Sequence, residues 1–363
     1  MENLSLKLVV TAYRKGILTC LLENGTAVQL DYNNGSSVVG SIYAGKVRSV
    51  SKNLEAAFVD IGTPLPGYLP LSGERLPRFL DGREHRAVRE GDEILVKVRK
   101  DAHKTKGPSL MDRFSEEKEE DFVRKAAFVR APGLVQAAQP FWAFLAERTA
   151  ASHPGCLEIV TDQENVFCAL TGAAPPVMEE YARKLPEAFR KPEKVHKMQG
   201  TDVPVRWHDG TSLPLSAVYS LETAVSEALS KKVWLKSGGY LVIEQTEALT
   251  VIDVNSGKNE KKSAKEEMIL KTDEEAVTEA MRQIRLRNLS GIILIDLIDV
   301  HTKETQASLL KRMRYLASLD PAGTQAVDIT KLNLAEIVRK KSGRPFADQL
   351  QRSSAGFSFR KSS

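Results

Sequence analysis

The sequence is poor in the residues that build disulfide frameworks and zinc sites. Its three cysteines, Cys20, Cys156 and Cys168, are an odd number and form no Cys-x-x-Cys pair, so neither a disulfide framework nor a cysteine zinc site is expected. The six histidines show no His-x-His or His-Glu-x-x-His spacing, which removes the usual histidine metal motifs. We therefore expect no zinc site, and we expect each cysteine to pack as a small apolar side chain.

The sequence also lacks long apolar runs. Runs such as GIILIDL at 291–297 are too short to span a bilayer, and the start, MENLSLKLVVTAYRKG, has no signal-peptide pattern. We expect a cytoplasmic protein with no membrane partner. With 363 residues, of which 42% are apolar and 27% charged, the chain is long enough for two or three domains. The net charge of +5 and a pI near 8.9 permit a nucleic-acid partner without requiring one.

Short strands dominate the first third of the sequence. Residues 1–37 predict a hairpin meander, because glycine and Asn-Gly turns separate its apolar segments. Residues 38–106 predict a small closed barrel of OB type. In EAAFVDIG (55–62), the apolar alternation leaves Phe58 on the polar face of its strand. On an OB barrel such an aromatic is a stacking platform for single-stranded bases; alternatively, Phe58 covers a barrel edge or an interdomain contact.

The remaining sequence predicts helices mixed with strands. Residues 107–200 predict a small α/β insert, with helices over 136–151 and 175–189 and a strand over 156–162. A helix and a Ser-Gly-Gly hairpin follow. Residues 248–345 alternate strand and helix and end in a helix, which predicts a largely parallel sheet. Ligand sites of such sheets lie outside the carboxyl ends of the strands.

Two apolar segments carry acids toward their ends. In LTVIDVNSGK (249–258), Asp253 and Asn255 are two residues apart and so point to one face of a strand. The same Asp-x-Asn-Ser-Gly could simply terminate the strand as a turn. In GIILIDLIDV (291–300), Asp296 interrupts the apolar run, and a buried carboxylate is tolerated only if it is paired or bound to a cation.

These acids predict a metal site built from oxygen ligands. No histidine or cysteine lies in either segment, and oxygen ligands alone select Mg²⁺, for which Mn²⁺ can substitute. We expect Asp253 and Asp296 to bind the ion and Asn255 to orient it or a water. The ion would activate water and neutralise charge on a phosphoryl oxygen. The alternative for Asp299, and less readily for Asp296, is a cap on the helix that follows.

Basic residues cluster near these segments, at 258–265, 282–287 and 331–344. We expect the clusters to hold phosphates, although a solvated helix face is the ordinary interpretation of any one charged run.

Three long segments resemble the ribonuclease E/G family: IYAGKVRSVSKNLEAAFVDIGTPLPGYLPL, SGGYLVIEQTEALTVIDVNSG and RQIRLRNLSGIILIDLIDV. The resemblance implies Mg²⁺-dependent endonucleolytic cleavage of single-stranded, A/U-rich RNA, in RNA processing or decay, to 5′-phosphate and 3′-hydroxyl ends. The residues that it implies are Asp253, Asn255 and Asp296 for catalysis, Asp253 and Asp296 for the metal, and Phe58, Tyr68 and Lys106 for RNA binding.

The resemblance also implies a multidomain α+β / α/β architecture, in which an RNase H-like scaffold with an inserted S1-type OB barrel is followed by a DNase-I-like α/β catalytic domain. The implied parts are the scaffold (1–37 and 201–247), the S1-type domain (38–106), a shortened 5′-sensor-like insert (107–200), the catalytic domain (248–345) and a flexible tail (346–363).

The sequence departs from the family pattern in three ways. It has no Cys-Pro-x-Cys linker, so a zinc-linked dimer is not expected, while other oligomerisation stays open. The 5′ sensor is shortened, with Arg130 as its possible 5′-phosphate contact and Ala131 where the family has threonine. We expect a compact member without the long scaffold tail of some members. Two rival functions follow: a single-stranded RNA-binding protein without cleavage, and a metal-dependent phosphoesterase acting on small substrates.

Overall fold

The computed structural model describes residues 4–35, 37–71, 75–82, 87–102, 106–171, 194–198, 201–210, 213–256, 265–298 and 302–352. The chain forms two compact units. The first unit comprises Met1–Asn34 and Phe141–Ser363, and the second unit comprises Gly35–Pro140. Within the described ranges, no helix combines the length and apolarity needed to cross a membrane.

The strands are β1 (Leu6–Tyr13), β2 (Gly16–Glu23), β3 (Thr26–Asn33), β4 (Ile42–Ser51), β5 (Ala56–Asp60), β6 (Gly67–Pro70), β7 (Glu93–Lys100), β8 (Ser109–Met111), β9 (Gly133–Gln136), β10 (Leu157–Thr161), β11 (Lys194–Met198), β12 (Thr201–Trp207), β13 (Lys232–Trp234), β14 (Tyr240–Gln245), β15 (Leu249–Asn255), β16 (Gly291–Asp296), β17 (Thr324–Ile329) and β18 (Leu334–Arg339). The helices are α1 (Glu116–Ala126), α2 (Phe141–Ser152), α3 (Glu164–Thr171), α4 (Leu215–Val218), α5 (Leu221–Leu229), α6 (Lys265–Leu286), α7 (Lys303–Ser318) and α8 (Phe346–Arg352).

The first sheet of the first unit contains the predicted meander. Its strand order is β11-β12-β10-β1-β2-β3, and β1, β2 and β3 pair antiparallel through short turns. Alternate residues of these strands enter two cores, one with α2 and α3 and the other with α5 and α8. Residues 346–352, expected to belong to a flexible tail, instead form α8, because Phe346 and Leu350 lie one helical turn apart and are both buried.

The second sheet of the first unit differs from the largely parallel sheet predicted for residues 248–345. Its order is β13-β14-β15-β16-β18-β17, and among its described strands only β15 and β16 pair in parallel. The predicted final helix is wrong, because β18 occupies that segment and forms a hairpin with β17. Residues Ala335, Ile337 and Arg339 alternate into the core, which is the period of a strand.

Helices α6 and α7 cover one face of this sheet, which we call the inner face. The apolar side chains of the inner face join both helices in a single core. The opposite, outer face is partly open: Ile292 is 52% exposed and Val338 is 42% exposed. This asymmetry decides the environment of the acids.

The second unit is a closed β-barrel consistent with an OB-type fold. Its order is β5-β6-β8-β7-β4-β9, and pairing of β5 with β4 closes the ring. Ala57, Val59 and Ile61 face the barrel core, as their alternation predicts. Residues 107–140, part of the expected insert, supply β8 to the barrel, α1 against it and β9 beside β4.

The remainder of the expected insert lies in the first unit. The predicted helix over 136–151 begins later, at Phe141, and ends at Ser152. The predicted strand over 156–162 is β10, which pairs in parallel with β1. The helix predicted over 175–189 lies outside the described residues.

Candidate active site on the outer face of the second sheet

The parallel pair β15–β16 brings the two predicted metal ligands together. Asp253 and Asp296 are register partners at the carboxyl ends of these strands, and neighbouring strands lie about 4.8 Å apart. Asn255 is two residues beyond Asp253 and shares its face; its Nδ2 donates a hydrogen bond to Asp253 Oδ2 at 2.8 Å. The alternation that buries Ile252 and Val254 of β15 directs Asp253 and Asn255 outward, and the burial of Ile295 on β16 directs Asp296 outward in the same way.

The environment of Asp296 differs from the prediction. We expected a carboxylate inside a buried strand, where desolvation would demand a cation. Instead Asp253 and Asp296 are exposed, because only the inner face of each strand is covered. The case for a cation therefore rests on the pairing of two carboxylates in register, not on burial.

The donor set fits a hard cation with few protein ligands. Mg²⁺ commonly takes one or two carboxylates and keeps several waters. Across the described ranges, no group of three or more His, Cys, Asp or Glu side chains could hold a metal ion. Asp299 lies outside the described residues, and the helix that follows is instead capped by Thr302, whose side chain accepts a hydrogen bond from the Thr305 backbone N–H.

A buried carboxylate supports the segment after Asp296 from the inner side. Asp273 on α6 accepts a hydrogen bond from the Ile298 backbone N–H at 3.1 Å. Burial raises the pKa of Asp273 to about 7, although this hydrogen bond opposes the shift. Sequence reasoning missed Asp273. The signal was its place on the buried side of α6, one turn before Ala276 and Val277.

The Ser-Gly-Gly turn of the β13–β14 hairpin packs against the end of β15. A Cβ on Gly239 would lie 2.5 Å from the backbone oxygen of Asn255, so only glycine permits this approach. Glu275 on α6 accepts hydrogen bonds from the backbone N–H groups of Lys236 and Ser237. Burial opposes the charged form of Glu275, but the hydrogen bonds outweigh burial and lower its pKa.

The second unit pairs the two predicted aromatics. Phe58 on β5 and Tyr68 on β6 are register partners, and their ring centroids are 6.0 Å apart at an interplanar angle of 67°. Phe58 is half-buried and Tyr68 is 36% exposed. The two rings thus form an accessible edge-to-face pair on the barrel wall.

The two basic residues of this unit that were predicted to contact RNA, Lys106 and Arg130, lie outside strands β5 and β6. Lys106 is exposed and precedes Gly107, where an added Cβ would meet the backbone oxygen of Pro66 at 1.9 Å. That close approach holds the Lys106 segment beside the start of β6. Arg130 is exposed in the loop between α1 and β9.

The structure corrects the expectation that the basic clusters hold phosphates. The arginines of 282–287 face inward and are paired: Arg282 with Glu279 and Glu227, Arg285 with Glu23, and Arg287 with Gln283. Arg339 is 1% exposed and bonds Asp320. These four guanidinium groups serve packing between elements of the first unit.

Other members of the clusters remain accessible or undescribed. Lys331, Lys340 and Lys341 are exposed, whereas most of the 258–265 cluster lies outside the described residues. The distribution of charge along the sequence does not distinguish the paired, inward-facing arginines from the exposed lysines.

Comparison with known proteins identifies relatives over most of the chain. The profile of the Ribonuclease E/G family matches residues 134–342, more than half of the chain. Ribonuclease E of Synechocystis sp. is 29% identical over 374 residues, covering 87% of this chain and 54% of that protein. Ribonuclease G of Escherichia coli K12 is 27% identical over 373 residues, covering 84% of this chain and 73% of that protein.

A third relative, ribonuclease G of Haemophilus influenzae, is 29% identical over 384 residues, which cover 89% of this chain and 77% of that protein. The chain thus spans about half the length of the ribonuclease E relative and about three quarters of the ribonuclease G relatives. The family profile covers β15 and β16 with all three outer-face residues. The chain belongs to the ribonuclease E/G family.

Proposed function

We propose that this protein is a metal-dependent endoribonuclease that cleaves single-stranded RNA. The observation that carries the proposal is the register of β15 and β16, which sets Asp253 beside Asp296 on an accessible sheet face. Membership of a family whose relatives are named ribonucleases supports the same activity. The partly open outer face admits an extended polymer, which a closed pocket for a small substrate would not.

The three outer-face residues, Asp253, Asn255 and Asp296, have different roles at the proposed ion site. Asp253 and Asp296 would hold Mg²⁺, with Mn²⁺ as a substitute, because both offer carboxylate oxygens at adjacent strand positions. Such an ion lowers the pKa of water and neutralises charge on a phosphoryl oxygen when bound. Asn255 donates to Asp253 and so holds that carboxylate in one orientation. Asp273 steadies the backbone that follows Asp296.

The second unit would bind the RNA. Phe58 and Tyr68 offer rings to successive bases, and each stacked base contributes about 1–3 kcal/mol. Lys106 would contact a phosphate, so affinity should fall with salt, and Arg130 would contact a 5′-phosphate. We further propose A/U-rich substrates, products with 5′-phosphate and 3′-hydroxyl ends, and RNase H-like and DNase-I-like architectures for the two halves of the first unit.

The test is cleavage of a labelled, unstructured A/U-rich RNA by the purified protein, in Mg²⁺ or in EDTA. The wild type should make internal cuts in Mg²⁺ alone. Asp253→Asn and Asp296→Ala should each slow cleavage by about 100-fold or more while RNA affinity stays nearly unchanged. Asp328→Asn is the matched control, because Asp328 is an exposed carboxylate of the same sheet on the edge strand β17. Normal cleavage by Asp253→Asn would remove the proposed active site.

A second candidate is a single-stranded RNA-binding protein without cleavage. The Phe58–Tyr68 pair favours it, because stacking needs no acid. A gel shift without cleavage across several Mg²⁺ and Mn²⁺ concentrations would support this alternative. A chromogenic phosphodiester tests the remaining possibility, a phosphoesterase for small substrates.

A further inference from the structure

The outer face that carries the acids continues across two more strands to the edge of the sheet. Asn255 is the register partner of Tyr240 on β14, and Tyr240 is the partner of Trp234 on β13. Two residues further along these strands, Val242 on β14 is the register partner of both Asp253 on β15 and Lys232 on β13. Register partners share a face, so Trp234, Tyr240 and Lys232 project on the side of Asp253 and Asn255.

Burial confirms this assignment of faces. Val233 and Leu241, the residues between the outward side chains, are 5% and 0% exposed and belong to the inner-face core. Trp234 is 67% exposed. By contrast, Trp142 is 9% exposed and Trp207 is half-buried against a core. Trp234 is therefore the tryptophan that the fold leaves in solvent.

The three side chains form one cluster. The Trp234 and Tyr240 rings are 5.3 Å apart between centroids at an interplanar angle of 62°. Lys232 Nζ lies 3.9 Å from the Trp234 centroid and 3.5 Å from the Tyr240 centroid, which are cation–π contacts. The lysine thus supports the rings while most of the Trp234 surface remains accessible.

We propose that Lys232, Trp234 and Tyr240 form a base-stacking subsite for single-stranded RNA on the face that carries the acids. The inference rests on the proposed function, since it takes the outer face as the path of the RNA. Two strand spacings separate β13 from β15, or about 10 Å, which is the length of about three stacked nucleotides. The rings would receive a base close to the cleaved phosphate, and the Lys232 ammonium would lie near the backbone charge.

A purely structural role explains less of the arrangement. An edge strand gains protection from a charged side chain, and Lys232 satisfies that need alone. The cation–π contacts stabilise the hairpin, but they do not require a tryptophan that is mostly in water. A flat ring beside a cation is the combination that single-stranded nucleic-acid sites use, because every base has a π-face and every nucleotide a charge.

The test compares the affinities of Trp234→Ala, Tyr240→Ala and Trp234→Phe for a labelled A/U-rich oligonucleotide, by fluorescence anisotropy. The measurements use the Asp253→Asn protein in Mg²⁺, so that cleavage cannot consume the RNA. Trp234→Ala should weaken binding by about 5- to 150-fold, the range expected for one lost stack. Trp234→Phe should restore most of the loss, because it keeps a ring.

Tyr315→Ala is the matched control. Tyr315 is 56% exposed and has Arg312 5.7 Å from its ring centroid, but it lies on α7, which covers the inner face. Its replacement should leave affinity unchanged. Tryptophan fluorescence is a second readout, and its interpretation does not depend on whether a variant loses stability. RNA should quench the fluorescence of the wild type more than that of Trp234→Phe.

The outcomes separate the subsite from the nuclease. Unchanged affinity in Trp234→Ala, or equal quenching in the wild type and Trp234→Phe, overturns the subsite even if the protein cleaves RNA. A loss of affinity that Trp234→Phe does not restore also overturns stacking. Selective quenching with weakened binding in Trp234→Ala supports the subsite, even if the wild type shows no cleavage and the nuclease proposal fails.

Discussion

Replacement of Arg339 by methionine should destabilise the first unit through a buried ion pair. Arg339 on β18 is the largest fully buried side chain among the described residues. Its Nε donates to Asp320 Oδ2 at 2.7 Å, and its Nη1 donates to Asn288 Oδ1 at 2.7 Å and to the Leu289 carbonyl oxygen at 2.8 Å. Because Asn288 and Leu289 lead into β16, the guanidinium anchors the strand that presents Asp296.

The expected loss follows from what remains after the substitution. Methionine keeps much of the volume of Arg339 but removes its charge, leaving Asp320 buried without its cation. Breaking a buried pair in this way costs about 3–5 kcal/mol. The Ala322 backbone N–H and the Thr324 hydroxyl still donate to Asp320, so we expect the lower part of the range, about 3 kcal/mol. The total free energy of unfolding of a domain is typically about 5–15 kcal/mol.

Urea unfolding followed by tryptophan fluorescence measures this loss. Trp142, Trp207 and Trp234 all belong to the first unit, so the signal reports that unit. The midpoint should fall while the slope stays unchanged. Arg312→Met is the control, because Arg312 is an exposed arginine of α7 and its loss should change stability by no more than about 0.5 kcal/mol.

A double variant and acid pH test the cause. Arg339→Met with Asp320→Asn should cost less than the sum of the single variants, since no buried charge is left. Burial opposes ionisation of Asp320, but the Arg339 hydrogen bond and charge lower its pKa overall. The stability that Asp320 contributes is therefore lost as pH falls through that lowered pKa, and the deficit of Arg339→Met should shrink there. A cost below about 1 kcal/mol, or full additivity, would refute the reasoning.

Three further predictions concern other residues. Phe58→Ala should weaken binding of single-stranded RNA by about 1–3 kcal/mol, because it removes one ring of the accessible pair on the barrel wall; anisotropy titrations would contradict this if affinity were unchanged. Burial raises the pKa of Asp31 to about 7 from its ordinary 3.8, despite a hydrogen bond from Gln349, so the folded protein holds a proton that the unfolded chain releases. The stability that this proton contributes is fully present below about pH 3.8 and falls by on the order of 4 kcal/mol as pH rises from there to about 7, and urea midpoints of Asp31→Asn should lack this decline. Thr302→Ala should cost about 0.5–2 kcal/mol by removing the cap of α7, and an unchanged midpoint would show that the cap carries no stability.

Local periodicity predicted many of the elements correctly. The β1–β3 meander, the barrel alternation around Phe58 and the β13–β14 hairpin all follow from apolar patterns of period two with glycine turns between them. The shared face of Asp253 and Asn255 follows from the same rule. Each of these features depends on residues that are close in sequence, so the sequence pattern contains the information.

Features that depend on distant partners were predicted less well. Segment 334–339 is rich in helix-forming residues, yet it is a strand because β16 and β17 pair with it. The arginines of 282–287 look like a phosphate-binding cluster until Glu23, Glu227 and Glu279 are seen beside them. Asp273 and the Trp234 cluster were missed because each acquires its role through a partner on another element.

The sequence by itself determined which side chains share a face of each predicted strand and where glycine turns separate the hairpin strands, because backbone geometry sets these relations within a few residues. Tertiary structure decided which segments became neighbours and which faces met water. The pairing of Asp253 with Asp296 required β15 and β16 to align in parallel register across 43 positions of sequence, from 253 to 296. Their exposure required α6 and α7 to cover the opposite face, since burial is a property of what packs on a strand rather than of the strand itself.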